Sequence, residues 1–187
     1  MLETRLAARR ESALPAASGA TSATVIVRPL AAASRFSLRI RAGLALPTLD
    51  NRPLDFPINR CARHDERWIA RLGPEEWLVG GLEADTEAMA AAIGTALAGR
   101  FHALVDISHR SVAIEVTGYE AAAALNAGCP LDLHPSAFPA GSATRTLMGK
   151  AEIFLMRPGE APTFRVECWR SFAVYVHGFL IEAARNV

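Results

Sequence analysis

The strongest constraint on the fold is a set of strand-like segments joined by turns that are too short to contain a helix. Three of them are residues 143–148, 151–156 and 163–168. They are separated by Gly149-Lys150 and by residues 157–162, which begin with the turn Arg157-Pro158-Gly159-Glu160. Connections this short join antiparallel neighbours, whereas parallel strands need a crossover of about a dozen residues or more. The spacing therefore predicts an antiparallel meander near the C-terminus.

Further strands follow from the alternation of apolar and polar residues earlier in the chain. In residues 35–41 the side chains of Phe36, Leu38 and Ile40 share one face, and the opposite face carries arginines that we expect to be exposed to water. The other predicted strands are residues 24–30, 67–72, 76–79, 101–107 and 111–117.

Apolar residues at spacings of three and four predict three helices between and after these strands. The first carries Met89, Ile93 and Leu97, and the last is expected to turn Phe172 and Leu180 inward. Strands that come in hairpins and are interleaved with helices favour an α+β fold over a doubly wound parallel sheet. We expect mixed, mainly antiparallel sheets with three or four helices. The predicted helices are residues 83–100, 118–127 and 169–184.

The chain is long enough, at 187 residues, for one domain with a sizeable core. Residues 1–23 are rich in Ala, Ser and Arg and predict an N-terminal arm, a short helix and a mobile linker, ahead of a domain over residues 24–187. A net charge of +1 gives no reason to expect nucleic acid or a membrane as partner. Three widely spaced cysteines and the lack of an apolar leader or spanning run indicate a cytoplasmic protein.

Two nucleotide-binding patterns fail on their spacing. Residues 141–150 end in Gly-Lys, but seven residues separate the two glycines where a phosphate loop has four, and Ala151 stands where that loop has a hydroxyl. No Gly-x-Gly-x-x-Gly turn follows a strand. Trp68, Trp77 and Trp169 have the chemistry to stack on a flavin or a pterin, but their apolar neighbours favour packing in the core or at an interface.

Hydrolytic and metal chemistry are weakly indicated. Asp106, Ser108 and His109 have the residue types of a triad, but neighbours at one tight turn cannot align as nucleophile, base and orienting group. A turn in which Asp106 accepts backbone hydrogen bonds is the better interpretation. We therefore predict no catalytic, cofactor-binding or metal site in this chain. Four possible zinc ligands lie in two poorly spaced pairs, Cys61 with His64 and Cys129 with His134.

A structured corner, residues 128–138 (GCPLDLHPSAF), joins the second helix to the meander. Pro130 and Pro135 fix their own φ angles and bias the preceding residues towards extended geometry, so the segment has one preferred path. We expect Asp132 to accept hydrogen bonds from nearby backbone donors. The apolar anchors of the corner are Leu131, Leu133 and Phe138.

Several segments in combination resemble a known family. Residues 106–110 (DISHR), the strand ending in EVTG at residues 115–118 and the short Ala-Leu helix after it are similar to the folate-binding domain of glycine-cleavage aminomethyltransferases. The resemblance narrows to the gamma subunit of heterotetrameric sarcosine oxidase and covers roughly Thr24 to the C-terminus. It rests on LGPEEWLV (72–79), GCPLDLHPSAF (128–138), Arg145-Thr146 followed by Gly149-Lys150-Ala151, and CWRSFAVYVHGFLIEAA (168–184).

This resemblance implies a non-catalytic assembly subunit of a four-chain flavoenzyme. Such a complex oxidatively demethylates sarcosine to glycine, passes the one-carbon unit to tetrahydrofolate or releases formaldehyde, and produces hydrogen peroxide. The resemblance also implies that the cofactors reside in the partner subunits: NAD in alpha, FAD and covalent FMN in beta, and zinc in delta.

Three alternatives stay open at this point. The chain could serve a related complex that acts on another N-methylated amino acid, act alone as a folate-binding or one-carbon-transfer protein, or be a generic interaction domain. For an assembly subunit we expect the partner surface to combine the corner, the loop at residues 47–57 and the N-terminal arm. The candidate interface residues are Leu131, Leu133 and Phe138.

Overall fold

The computed structural model describes residues 11–15, 19–41, 46–49 and 52–187. No helix within these ranges is long and apolar enough to cross a membrane. The helices are α1 (Thr86–Ala96), α2 (Ala121–Asn126) and α3 (Ala173–Ala184), and 3₁₀ turns at Glu83–Asp85 and Arg170–Phe172 precede α1 and α3. The strands are β1 (Ala20–Thr21), β2 (Ile26–Pro29), β3 (Ala33–Ile40), β4 (Thr48–Leu49), β5 (Arg52–Pro53), β6 (Arg60–His64), β7 (Arg67–Gly73), β8 (Glu76–Leu82), β9 (His102–Asp106), β10 (Ser111–Thr117), β11 (Ser142–Met148), β12 (Ala151–Arg157) and β13 (Thr163–Trp169).

Eleven of the described strands form one antiparallel sheet in the order β1-β2-β10-β13-β12-β11-β6-β7-β8-β3-β9, and β4 pairs with β5 separately. The meander predicted from the short turns is confirmed as β11-β12-β13. Its first turn is tight because Gly149 adopts a φ of 57°, a left-handed conformation that glycine reaches without steric cost. The mainly antiparallel α+β fold is thus confirmed.

The sheet folds over on itself into two layers. β3 and β13 are separated by five strands in the sheet order, yet Arg35 of β3 and Glu167 of β13 are hydrogen-bonded. Likewise, the ring of Trp68 in β7 stacks on that of Phe154 in β12, with centroids 5.4 Å apart. Strands β6, β7, β8, β3 and β9 form the first layer, and β11, β12, β13, β10, β2 and β1 form the second.

Three apolar clusters formed by the described residues hold this arrangement together. The first layer packs against α1 through Phe36, Leu38 and Ile40, the side chains that were predicted to share a face. The second layer packs against α2 and α3 in the largest cluster. A third cluster, which includes Trp68 and Phe154, fills the space between the layers. Because side chains alternate along a strand, β7 contributes Ile69 to the cluster with α1 and Trp68 to the cluster between the layers.

The structure corrects several sequence-based expectations. The face of β3 opposite Phe36 is not uniformly exposed to water, because Arg35 is 1% exposed and faces the second layer. The two strands joined by the short link at residues 107–110 do not pair with each other: β9 pairs with β3, whereas β10 pairs with β2 and β13. Phe172 lies in the 3₁₀ turn before α3 and is exposed, so it does not point into the core.

The predicted N-terminal arm falls partly outside the described residues, at 1–10 and 16–18. Within the remainder, Leu14 is buried in the cluster beneath α2 and α3, and β1 pairs with β2. These parts of residues 1–23 therefore pack on the domain. The predicted loop at 47–57 contains the short β4-β5 pair, and its residues 50 and 51 lie outside the described ranges.

Candidate functional site

A buried ionic network occupies the centre of the space between the two layers. Glu167 accepts hydrogen bonds from Arg35 Nε at 2.7 Å and from Arg165 Nε at 2.6 Å, so each carboxylate oxygen has a guanidinium partner. Burial alone would raise the pKa of Glu167, but the two arginines outweigh it and hold that pKa below its usual 4.5. Glu167 is therefore ionised at neutral pH and engaged on both oxygens, which is a structural role.

The turn between β9 and β10, where the chain crosses from one layer to the other, is hydrogen-bonded to the backbone of Arg35. Asp106 Oδ1 accepts hydrogen bonds from Ser108 N at 2.8 Å and from Ser108 Oγ at 2.5 Å. Ser108 Oγ in turn accepts one from the backbone N–H of Arg35 at 2.9 Å. The predicted turn network around Asp106 is confirmed. Ser108 is buried and its hydroxyl is held by Asp106, while His109 lies exposed, so these residues do not form a triad.

Burial shifts the pKa values of two cysteines and one histidine so that their unreactive or neutral forms are favoured. Burial raises the pKa of the Cys61 thiol to about 11 and that of Cys168 to about 12. Both stay protonated at neutral pH, and the thiol is a weak nucleophile compared with the thiolate. Burial also lowers the pKa of His177 in α3, which favours its neutral form. None of the three is poised for acid, base or nucleophilic chemistry.

The four residues considered as zinc ligands make other contacts or stand apart. In the described ranges no three His, Cys, Asp or Glu side chains lie close enough together to hold a metal ion. Cys129 is buried with its Sγ 3.9 Å from Thr146 Oγ1, whereas His134 is exposed and bonds Ser136 Oγ at 2.8 Å through Nδ1.

Two of the three tryptophans pack in the interior, as predicted. The ring of Trp68 contacts both Phe154 and the Arg165 guanidinium, whose Cζ lies 5.5 Å from the ring centroid. Trp77 is buried and donates through Nε1 to Leu54 O at 3.0 Å. Neither ring is free to stack on a flavin or a pterin. Trp169 differs, because it is 47% exposed at the end of β13.

An open pocket of about 370 Å³ lies at one end of the space between the layers. Its lining includes Trp68, Arg165, Arg28 and Glu115. Arg28 Nε is 2.7 Å from Glu115 Oε1, so these opposite charges compensate each other. The pocket has room for a small molecule, but its lining brings no nucleophile together with a base.

The corner at residues 128–138 lies over α2 and α3. Leu133 and Phe138 are 1% and 8% exposed and belong to the core cluster, whereas Leu131 is half-buried at its edge. This corrects the expectation that Leu133 and Phe138 form a partner surface, because their side chains already pack in the core, where Phe138 stacks on Phe164 of β13. Asp132 Oδ1 accepts from His134 N at 2.9 Å, which confirms its predicted role towards local backbone donors.

Comparison with known proteins gives a consistent result. The model of the sarcosine oxidase, gamma subunit family matches residues 48–186. The sarcosine oxidase subunit gamma of Arthrobacter sp. is 29% identical over 149 residues, which are 77% of this chain and 72% of that protein. That of Corynebacterium sp. (strain P-1) is 30% identical over 172 residues, 89% of this chain and 83% of the relative.

Two solved structures share the fold. A chain of the heterotetrameric sarcosine oxidase from Corynebacterium sp. U-96, in complex with pyrrole 2-carboxylate, superposes with a TM-score of 0.76 at 23% identity, over 91% of this chain and 89% of that one. The glycine cleavage system aminomethyltransferase T from Bartonella henselae gives 0.63 at 14% identity, over 88% of this chain and 50% of that one. The predicted likeness to the aminomethyltransferase fold is confirmed.

Proposed function

Because the chain belongs to the sarcosine oxidase gamma subunit family, we propose that it is a non-catalytic assembly subunit of a heterotetrameric sarcosine oxidase. The observation that supports a non-catalytic role is that the polar groups between the layers are hydrogen-bonded to one another. Glu167 binds two arginines and Ser108 links Asp106 to the backbone of Arg35, so these groups stabilise the fold rather than await a substrate.

In this proposal the complex oxidises sarcosine to glycine with dioxygen as the electron acceptor and forms hydrogen peroxide. The one-carbon unit passes to tetrahydrofolate or leaves as formaldehyde. The partners are an alpha subunit with NAD, a beta subunit with FAD and covalent FMN, and a delta subunit with zinc. Family membership supports this assignment, and three unpaired cysteines support a reducing, cytoplasmic setting.

Co-expression of a tagged form of this chain with alpha, beta and delta subunits from the same source tests the proposal. We expect one stable complex that contains all four chains and turns over sarcosine. Within it, Cys61→Ser, Asp132→Asn and His134→Ala should leave kcat unchanged. A tagged chain that never retains the other subunits would refute the assembly role, and an intact complex inactivated by one of these substitutions would refute the non-catalytic role.

A stand-alone folate-binding protein is the second candidate, favoured by the likeness to aminomethyltransferase T. The occupied faces of Trp68 and Trp77 argue against a pterin stacked in the interior. Isothermal titration of the isolated chain with tetrahydrofolate separates the two candidates, because micromolar binding would favour this one. A panel of N-methylated amino acids given to the purified complex identifies its substrate.

A further inference from the structure

The pocket beside Trp68 lies at one end of the space between the layers, and a much smaller cavity lies at the other end. Side chains at alternate positions of β13, Arg165 and Glu167, point between the layers, and Trp169 is the next in that series. Trp169 and Arg110 both line a shallow cavity of about 30 Å³ whose wall includes Arg35 and Glu167. The indole therefore marks the point where the space between the layers opens to solvent.

Arg110 lies beside this exposed indole and near enough to Glu76 to contribute, after Arg145 and Arg39, to lowering the pKa of that carboxyl. Its Cζ is 5.8 Å from the centroid of the Trp169 ring, a cation–π contact. In the part of the chain that the structure describes, no acidic side chain forms an ion pair with Arg110. A guanidinium in a cation–π contact can still donate its N–H groups to a carboxylate, which it can bind through two parallel hydrogen bonds.

The surroundings of Arg110 are positively charged. Glu76 is shared by two arginines, with Arg145 Nη2 at 2.5 Å and Arg39 Nη2 at 3.3 Å. The hydrogen bond from Arg145 is the main reason why the pKa of Glu76 is lowered. The cavity itself is lined by three arginines, Arg35, Arg110 and Arg145, and by two glutamates, Glu152 and Glu167, so positive charge exceeds negative charge by one. An acidic partner surface would therefore be attracted to this end of the molecule.

Exposed apolar side chains continue from the indole along the start of α3. Phe172, Val174 and Tyr175 are all exposed, Val174 at 73%. The Tyr175 hydroxyl accepts from the backbone N–H of Lys150, which ties this stretch to the β11-β12 turn where Leu147 is also exposed. Contiguous apolar surface with polar surroundings marks interaction sites, and Trp, Tyr and Arg are the residues that most often dominate their binding energy. We call this surface the Trp169 patch, comprising Arg110, Leu147, Trp169, Phe172, Val174 and Tyr175.

We propose that the Trp169 patch docks another subunit of the oxidase through a carboxylate that pairs with Arg110, beside an apolar side chain that covers Trp169. The inference rests on the proposed function and identifies the surface through which the chain would bind its partner. Leu133 and Phe138, the interface residues expected from the sequence, are internal, whereas the side chains of the Trp169 patch are exposed to a partner. Arg110 is the charged member of the patch, and positive charge exceeds negative charge in the adjoining cavity, so an acidic partner is favoured over a second copy of the same surface.

The test uses the full chain and the co-expressed remainder of the complex. Surface plasmon resonance of this chain against that remainder should show binding weakened about 30-fold by Trp169→Ala, as for a central anchor residue. Arg110→Glu should slow association and reduce its salt dependence, while Arg110→Lys should restore the salt dependence. Arg185→Glu and Tyr119→Ala, both at exposed positions outside the patch, are the matched controls and should bind as the unaltered chain does.

The possible outcomes distinguish a failure of the proposed function from a failure of the proposed docking surface. An unaltered chain that does not bind the remainder at all refutes the proposed function. An unaltered chain that binds, with Trp169→Ala and Arg110→Glu indistinguishable from the controls, refutes only the patch. A dimer of the isolated chain that Trp169→Ala dissociates would assign the patch to a second copy and would also overturn the inference. Thermal melts of every variant confirm that the comparison is made between folded proteins.

Discussion

Glu167→Gln tests the ionic network most directly, because glutamine keeps the shape of the side chain and removes its charge. Arg35 and Glu167 are 1% and 3% exposed, and both carboxylate oxygens are engaged. The substitution leaves two guanidiniums between the layers with no counter-charge in contact. Removing one partner of a buried pair costs about 3–5 kcal/mol, and a domain is stable by only about 5–15 kcal/mol in all.

Urea denaturation followed by tryptophan fluorescence measures this cost. The indole of Trp68 lies against Arg165 and reports on the space between the layers. With a slope of about 2 kcal/mol per molar urea, a loss of about 4 kcal/mol moves the midpoint down by about 2 M. The slope itself should not change, because the substitution leaves the area exposed on unfolding almost the same.

Glu115→Gln is the matched control on the neighbouring strand. Glu115 pairs with Arg28 at 2.7 Å, but that arginine side chain is 60% exposed, so solvent screens the pair and its contribution is below about 1 kcal/mol. The midpoint should therefore fall by less than about 0.5 M. Equal shifts for the two variants, or a shift below 0.5 M for Glu167→Gln, would show that the buried network does not stabilise the fold as argued.

Three further predictions concern titration, glycines and a thiol. The pKa of Glu167 is lower in the folded chain than its ordinary 4.5, so its contribution to stability is complete above that pH and is lost as the pH falls through the folded value; denaturation series from pH 7 downwards should show the gap between the native chain and Glu167→Gln closing in acid. Gly128→Ala should destabilise the fold by about 1–3 kcal/mol, because a Cβ there would lie 2.7 Å from the Phe179 ring. In contrast, a Cβ at Gly94 within α1 would meet nothing within 4 Å, so Gly94→Ala should stabilise the fold by about 0.5–1 kcal/mol in the same urea assay. Iodoacetamide at pH 8 should leave Cys168 unmodified in the native chain and alkylate it in urea, as followed by mass spectrometry, because burial raises the pKa of its thiol to about 12.

The features that sequence predicted well are those that depend on neighbouring residues. The meander follows from two short turns, and the burial of Phe36, Leu38 and Ile40 follows from strand alternation. Both depend on backbone geometry within a few residues, which a local pattern records. The turn around Asp106 was predictable for the same reason, since its hydrogen bonds reach only two residues along the chain.

The features that sequence missed depend on distant partners. Arg35 resembled a surface residue because the carboxylate that allows its burial, Glu167, is 132 positions away. The length of the link between β9 and β10 does not reveal that it crosses from one layer to the other. Leu133 and Phe138 resembled exposed anchors because the side chains they pack against lie elsewhere in the chain, as Phe164 of β13 does for Phe138. In each case the second layer supplies the missing information.

Strand β13 carries, on one face, side chains that stabilise the fold and a side chain that a partner could bind. Glu167 lies deep enough for the opposite layer to enclose it together with Arg35, so these two charges act on the chain itself. Trp169, two positions further, passes the end of that enclosure, and its indole meets solvent and Arg110. Depth between the layers, rather than residue type, therefore decides which polar and aromatic groups a partner can reach. An arginine enclosed with its carboxylate stabilises the fold, and an arginine on an exposed indole is available for another subunit.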